Sequence, residues 1–284
     1  MGTKTVLVIV AHADDMEFMA GGTIAKMAGM GYKIREVIAT NNERGTLDPN
    51  WSPEFTAEAR REEARRGARV LGVDPDIEFL GYEDGRLSET PLNELRQKCM
   101  RAIRRHKPDM LFTWDPFANY ENHQDHRAVA WAAMEAASFS HFPLYHPEHR
   151  DEGLQPHYVG EHYYFAKVPQ DVNKIVDISD YIQRKVDSLC EHVSQMVLGV
   201  SGFKIDLEAA GASVPGLENL DPRNYRPLID QQIRAWAASA GRKINVAYAE
   251  EFRRYRFGGM ERWFPALARE AEGHSAGQGL ADDL

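Results

Sequence analysis

The chain has 284 residues, 43% of them hydrophobic and 27% charged, with a formal net charge of −9. That length can bury a large core, and the balance of apolar and charged residues excludes disorder, collagen and coiled coil. The negative charge opposes attraction to phosphate backbones, so no nucleic-acid partner is expected. Two cysteines, Cys99 and Cys190, cannot build a disulfide framework and point to a reducing compartment. The longest early apolar run, residues 6–11, is too short for a membrane span or a signal-peptide core. Gly2 lacks the myristoylation context, because Val6 stands where Ser or Thr is needed. The expectation is a cytoplasmic protein with no membrane span.

In chain order, residues 5–11 (TVLVIVA) are apolar and β-branched throughout, as in a strand buried on both faces. Gly21-Gly22 leads into a predicted helix over 23–30, closed by Gly31, and residues 33–40 read as a second strand. A polar loop over 41–53 precedes a long helix over 54–71. The arginines of that helix read mainly as a solvated face supported by i, i+4 pairs. Strands are predicted at 76–80 and 109–114, with a helix over 92–106 between them and an Ala-rich helix over 125–140 after them. Two late strands (161–167 and 173–178) and a helix over 181–196 follow. Residues 199–227, rich in Gly and Pro, read as an irregular loop, and 228–256 returns to helical composition. Residues 272–284 lack a core-forming pattern and read as a flexible tail. Repeated strand–helix–strand order predicts one α/β domain over 1–271, a mainly parallel sheet with helices on both faces and an irregular and helical C-terminal extension. Ligands of such sheets bind beyond the carboxyl ends of the strands.

Two polar clusters stand at those ends. The first, Ala11-His12-Ala13-Asp14-Asp15-Met16-Glu17, directly follows the first strand. Three carboxylates and an imidazole beside a buried sheet cost desolvation unless charge is compensated, and a divalent cation compensates it. Helix capping by Asp14 or Asp15 is the competing explanation. The second cluster, Asn122-His123-Gln124-Asp125-His126-Arg127, follows the fourth strand. His123 and His126 are three apart, so a helix start can turn both rings to one side. Ordinary loop histidines with a capping Asp125 are the alternative there. The corresponding strand-to-helix positions of the two clusters point to one shared site. Three ligands from the pair would suffice for a catalytic zinc with an open position, and a two-His, one-carboxylate set also suits iron(II). Spacing alone does not say which residues are ligands.

His12-Ala13-Asp14-Asp15 and His123-Gln124-Asp125-His126 resemble the two signatures of the PIG-L/LmbE family of zinc-dependent N-deacetylases. Residues 61–73, 79–87, 104–109 and 248–252 (YAEEF) resemble further family blocks in the same order. The resemblance implies a Rossmann-like fold, one zinc ion, and hydrolysis of N-acetyl groups from aminosugar derivatives by a water activated at the metal. Carried over residue by residue, it implies His12, Asp15 and His126 as ligands and Asp14 as general base. His123 would then stabilise the oxyanion or protonate the amine, oriented by Asp125. Proline is usual in the family where this chain has Ala13 and Gln124; its loss would loosen the loops slightly. Residues 41–45 (NNERG) replace a glycine-rich turn, which leaves the substrate open and makes Arg44 a candidate contact for a substrate hydroxyl, carboxylate or phosphate, with a surface ion pair as the alternative. Trp51, Trp114, Phe117 and Tyr120 are candidates for stacking on a sugar, with Trp114, at the end of an apolar strand, reading rather as core.

The expected activity is therefore removal of an acetyl or small acyl group from an N-acetylated, sugar-like small molecule. A hydratase or lyase acting on a carboxylated small molecule is the rival, and a non-catalytic sugar-binding protein a weaker one. The chain is compatible with a homo-oligomer. A histidine-rich stretch, residues 141–162, reads as exposed loop, as a substrate or subunit contact, or as a second metal site. No Gly-x-Gly-x-x-Gly follows the first strand, so a dinucleotide lacks its phosphate cradle.

Overall fold

β-branched residues in Thr5–Val10 form β1, and all but Thr5 are buried, since both faces of the strand are covered. The computed structural model describes residues 3–212 and 221–256. The other strands are β2 (Lys33–Thr40), β3 (Glu78–Tyr82), β4 (Met110–Trp114), β5 (Glu161–Phe165), β6 (Lys174–Asp177) and β7 (Ala249–Arg256). They form one sheet in the order β3-β2-β1-β4-β5-β7-β6. Every pairing from β3 to β5 is parallel, and β7 runs antiparallel to both of its neighbours. The α/β architecture expected from the alternating pattern is therefore present.

The helices are α1 (Asp15–Gly29), α2 (Pro53–Leu71), α3 (Leu92–His106), α4 (Gln124–Phe139), α5 (Ile182–Cys190), α6 (Val193–Ala209) and α7 (Arg226–Gly241). α3 and α4 pack together against β1 and β4, while α1, α2, α5 and α7 pack among themselves on the other side. The chain leaves β1 toward β2 and β3, then returns to place β4 on β1's other edge. The crevice beyond the ends of β1 and β4 is thus the topological switch point, where such sheets bind ligands.

Three elements depart from the sequence reading. α1 begins at Asp15, eight residues before the predicted start, with Gly21 and Gly22 inside it. A Cβ on Gly22 would stand 2.5 Å from Ile178 Cδ1, so this glycine serves close packing rather than marking a helix start. The segment predicted irregular over 199–227 is helical to Ala209, and a 3-10 turn at Pro222–Asn224 leads into α7 at Arg226. Gly199 and Gly202 face open space while Met196 and Val200 are buried, so the helix tolerates its glycines. Residues 249–256 form the inserted strand β7 instead of helix, because Ala249, Glu250 and Phe252 are buried against β5 and β6. The predicted tail over 272–284 lies outside the described residues.

Cys99 and Cys190 are buried and unpaired. Among the described residues, no helix is long and apolar enough to cross a membrane.

Candidate metal and catalytic site

β1 runs straight into the first cluster, and Asp15 turns the chain there. Its Oδ2 accepts the backbone N–H groups of Ala11 and His12 at 3.0 and 2.9 Å, and the Trp114 indole N–H at 2.9 Å. Asp14 sits at the N-cap of α1 in the left-handed region (φ 99°), yet its side chain caps nothing. It turns instead into a cavity, where Arg60 Nη2 donates to its Oδ1 at 3.0 Å. Helix capping therefore does not account for Asp14.

The second cluster reaches the same point from β4. His123 is the N-cap of α4, and its Nδ1 accepts the Asp125 N–H at 3.3 Å. His126, on the first turn, stacks on Trp114 with ring centroids 3.9 Å apart. His12 Nδ1 lies 3.1 Å from His126 Nε2, which lies 3.3 Å from Asp15 Oδ1; Asp15 Oδ2 is 3.9 Å from His12 Nδ1. The His12–His126 and His126–Asp15 Oδ1 separations suit neighbouring ligands of one ion, while the Asp15 oxygen nearest His12 is the other one, Oδ2. The other nitrogen of each ring faces carboxylates. His12 Nε2 is 3.2 Å from both Asp84 and Asp125, and His126 Nδ1 is 3.2 Å from Glu121. Carboxylate–histidine pairs of this kind orient metal-binding imidazoles. Donor atoms of His12, His123 and His126 also lie within 4.8 Å of one another, as do those of His12, Asp84 and Asp125. Asp125, however, is engaged elsewhere: it accepts the N–H groups of Gly85 and Leu87 at 2.6 and 3.0 Å.

The electrostatics call for a cation. Burial alone disfavours an imidazolium at His12, but Asp125, Asp84 and Asp15 outweigh it and lift its pKa to about 10. Burial likewise opposes ionisation of Asp15, yet His126 and His12 hold its pKa far below the usual carboxylate range. At Glu121, burial is overcome by His126, the His123 N–H and Lys167, giving a pKa of about 2. A nitrogen–nitrogen–oxygen set inside this negative potential suits zinc or iron(II).

Asp14 and His123 shift in the opposite sense. Burial raises the Asp14 pKa against the opposing charges of Arg60 and His192, which favours it as a proton acceptor. Burial, followed by the neighbouring His12 and His126, lowers the His123 pKa to about 4. With Nδ1 accepting from the backbone, neutral His123 carries its proton on Nε2 and is a hydrogen-bond donor.

His12, Asp14, Asp15, His123, His126 and Arg44 all line one cavity of about 600 Å³, with Asp125 behind it. Arg44 also pairs with Glu83 at the rim. Tyr120 is 84% exposed and lies outside the cavity wall. Sequence reasoning passed over Arg60, Asp84, Lys167 and Gln195, which line the same cavity. Arg60 carried a usable signal: it falls in helical step with the buried Ala57, Ala64, Ala68 and Leu71 on one face of α2. Asp84 carried none, since it reaches His12 from the turn after β3.

Both departures from the family pattern are compensated. Ala13 N–H, which a proline would lack, donates to Asn42 Oδ1 at 2.8 Å. Gln124 bonds the Gly85 carbonyl, and its Oε1 accepts from Ser88 Oγ at 2.7 Å. The histidine-rich stretch is taken up locally: His149 meets Arg104, His157 meets the Pro108 carbonyl and His162 meets Tyr164. Among the described residues it forms no cluster with metal-ligand spacing.

Comparisons with known proteins show what this chain is similar to. The family model described as GlcNAc-PI de-N-acetylase (PIG-L) matches residues 7–137, which span both clusters. A diacetylchitobiose deacetylase from Thermococcus kodakarensis is 34% identical over 193 residues, covering 68% of this chain and 70% of the relative. The crystal structure of an N,N'-diacetylchitobiose deacetylase from Pyrococcus horikoshii superposes with a TM-score of 0.74 at 31% identity, over 91% of this chain and 85% of that one. A 4-oxalmesaconate hydratase from Pseudomonas putida is 31% identical over 166 residues, covering 56% of this chain and 61% of the hydratase.

Proposed function

The chain belongs to the PIG-L family of N-deacetylases, and from that membership we propose that it hydrolyses an N-acetyl or small N-acyl group on an aminosugar or sugar conjugate. His12 through Nδ1, Asp15 through Oδ1 and His126 through Nε2 would hold one zinc or iron(II) ion. When bound, the metal supplies a Lewis acid for the acyl oxygen and makes a water acidic near neutral pH.

The protein's own groups do the rest. Asp14, raised in pKa and held through Oδ1 by Arg60, accepts the proton of the attacking water on its other oxygen. The new bond joins the water oxygen to the acyl carbon, and the carbonyl electrons move onto the acyl oxygen. Neutral His123 donates from Nε2 to that developing oxyanion. Asp14 then returns its proton to the nitrogen as the C–N bond breaks, giving a free amine and a carboxylic acid. Asp125 and Asp84 hold the His12 ring, and Glu121 the His126 ring, through the nitrogen that would not face the metal.

The observation that carries this reading is the meeting of a proton acceptor, Asp14, and a neutral donor, His123, beside the three-donor set in one cavity. Binding a sugar needs neither group. The test is chelation and zinc reloading, followed by assay of N-acetylated sugars and conjugates for released amine. Metal-dependent amine release is expected. Turnover of an unsaturated carboxylate with no amine released from any member of the panel would replace this reading with a hydratase.

A further inference from the structure

Trp114 ends β4 and is 3% exposed, as a core residue would be, yet it also lines the catalytic cavity. Both of its chemical features are used there. The indole N–H donates to Asp15 Oδ2 at 2.9 Å, and the ring lies on His126 at 3.9 Å with 12° between the planes. One side chain thus touches the carboxylate that follows β1 and the imidazole carried by α4.

Each contact removes a freedom that the other partners leave. Asp15 Oδ2 also accepts the Ala11 and His12 N–H groups, but these belong to the same turn as Asp15 and move with it. The indole comes from the neighbouring strand, whose residues Met110–Phe112 pair with Val6–Val8 of β1, and so fixes the turn relative to the sheet. With three N–H donors on Oδ2, Asp15 presents its other oxygen, Oδ1, to His126 Nε2 at 3.3 Å. On the imidazole side, Glu121 meets His126 Nδ1 at one edge of the ring, a contact that does not fix the ring plane. Stacking fixes it: His126 is near-parallel to Trp114 and also to His123, at 18° and 4.5 Å. Trp114 is itself braced by Phe165 of β5, edge-to-face at 5.2 Å. Its orientation is therefore set by the core, and it passes that orientation on to the site.

We propose that Trp114 is the positioning residue of the metal centre: its N–H and its ring together set the separation and orientation of Asp15 Oδ1 and His126 Nε2, and with them the affinity for zinc. The inference rests on the ligand set His12, Asp15 and His126 proposed above, and is independent of which acyl substrate is turned over. Removing a group that orients a metal ligand typically lowers metal affinity by about 10–100-fold.

The test is zinc affinity of the full chain, read by competition with a chromophoric chelator and with no substrate present. Trp114→Phe keeps an aromatic face for His126 and loses the N–H, and should bind zinc about tenfold more weakly. Trp114→Leu loses both contacts and should bind it about a hundredfold more weakly. Phe112→Leu is the packing control: this ring, also on β4, packs on Tyr163 and Phe252, and its loss should leave zinc affinity at the wild-type level. The d–d spectrum of the cobalt(II)-loaded protein should change in Trp114→Phe and stay unchanged in Phe112→Leu, a difference that loosened core packing alone does not produce. His126→Ala controls the ligand set and should abolish tight binding. Wild-type affinity in Trp114→Phe, or an equal loss in Phe112→Leu, overturns the role of Trp114 while the ligand set stands on His126→Ala. Full zinc affinity in His126→Ala overturns both. A crystal structure of the zinc-loaded wild type needs no variant to fold. Asp15 Oδ2 on the indole N–H with Oδ1 on the metal supports the proposal, and an Asp15 turned away from Trp114 removes it.

Discussion

In the proposed mechanism Asp14 and His123 have opposite tasks beside the same donor set, and burial shifts their pKa values in opposite directions. For Asp14 the raised pKa makes a carboxylate that takes a proton readily. Asp14→Asn should retain stoichiometric metal while kcat falls by about 10²–10⁴-fold, the usual contribution of a positioned base. Metal analysis beside steady-state kinetics checks this, and loss of metal would make Asp14 a ligand instead. For His123, the folded pKa of about 4 lies below the ordinary value of 6.5, so the ring is neutral throughout the range above about pH 5. A neutral donor predicts that His123→Ala lowers kcat by about 10²–10³-fold without changing the shape of the pH profile between about 5.5 and 8. An alkaline limb near pH 6.5 in the wild type that disappears in the variant would show the imidazolium to be the working form.

Elements hold these residues through a few specific contacts. The loop carrying Asp14 is pinned by the Ala13 N–H on Asn42, itself in the left-handed region at φ 62° and fully buried. Asn42→Ala leaves that N–H without its acceptor and should cost about 1–3 kcal/mol. Adding Ala13→Pro, which removes the donor altogether, should recover part of the loss in urea denaturation. No recovery would mean that Asn42 acts through its Nδ2 bond to Thr40. Farther along α1, Glu250 of β7 accepts the N–H groups of Gly22 and Thr23 at 3.0 and 2.7 Å, and the buried Lys185 Nζ at 2.5 Å. One carboxylate thus ties α1, α5 and β7 together. Gly22 permits this approach: a Cβ there would meet three Ile178 atoms at 2.5–2.9 Å. Gly22→Ala should destabilise the protein by about 1–3 kcal/mol through overpacking. Gly199→Ala, which meets nothing within 4 Å on α6, should be neutral or stabilising by up to about 1 kcal/mol. Similar urea midpoints for the two variants would remove the packing argument.

For the whole molecule, the sheet order makes β1 and β4 neighbours, so clusters more than a hundred residues apart in sequence meet at one crevice. The same burial that builds the sheet creates acid sensitivity away from the site. His162 on β5 is 4% exposed, and burial lowers its pKa to about 4. Between that value and the unfolded value of about 6.5, the unfolded chain binds the additional proton. The stability contributed by neutral His162 is therefore complete above about pH 6.5 and is lost as pH falls toward 4. At pH 5 the loss should be about 2 kcal/mol. His162→Gln cannot titrate, so its fall in urea midpoint between pH 7 and pH 5 should be smaller than the wild type's. An equal fall in both proteins would assign the acid sensitivity elsewhere.

The sequence alone determined what local order can carry. The β-branched run 5–11 marked β1, and the strand–helix alternation marked the α/β sheet. His12, Asp14, Asp15, His123 and His126 stood out because charged residues directly after apolar strands must be compensated. Only the tertiary structure decided which atoms face one another. His12 Nδ1 meets His126 and Asp15 while its Nε2 meets Asp84 and Asp125, and no spacing along the chain encodes that choice. Arg60 was hidden in a charge-rich helix until packing buried one face of α2 against Asp14. α1 was read too short, and β7 was missed, for one reason. Gly22 and Glu250 take their meaning from a contact 228 positions apart, and a local pattern holds no information about a partner so distant.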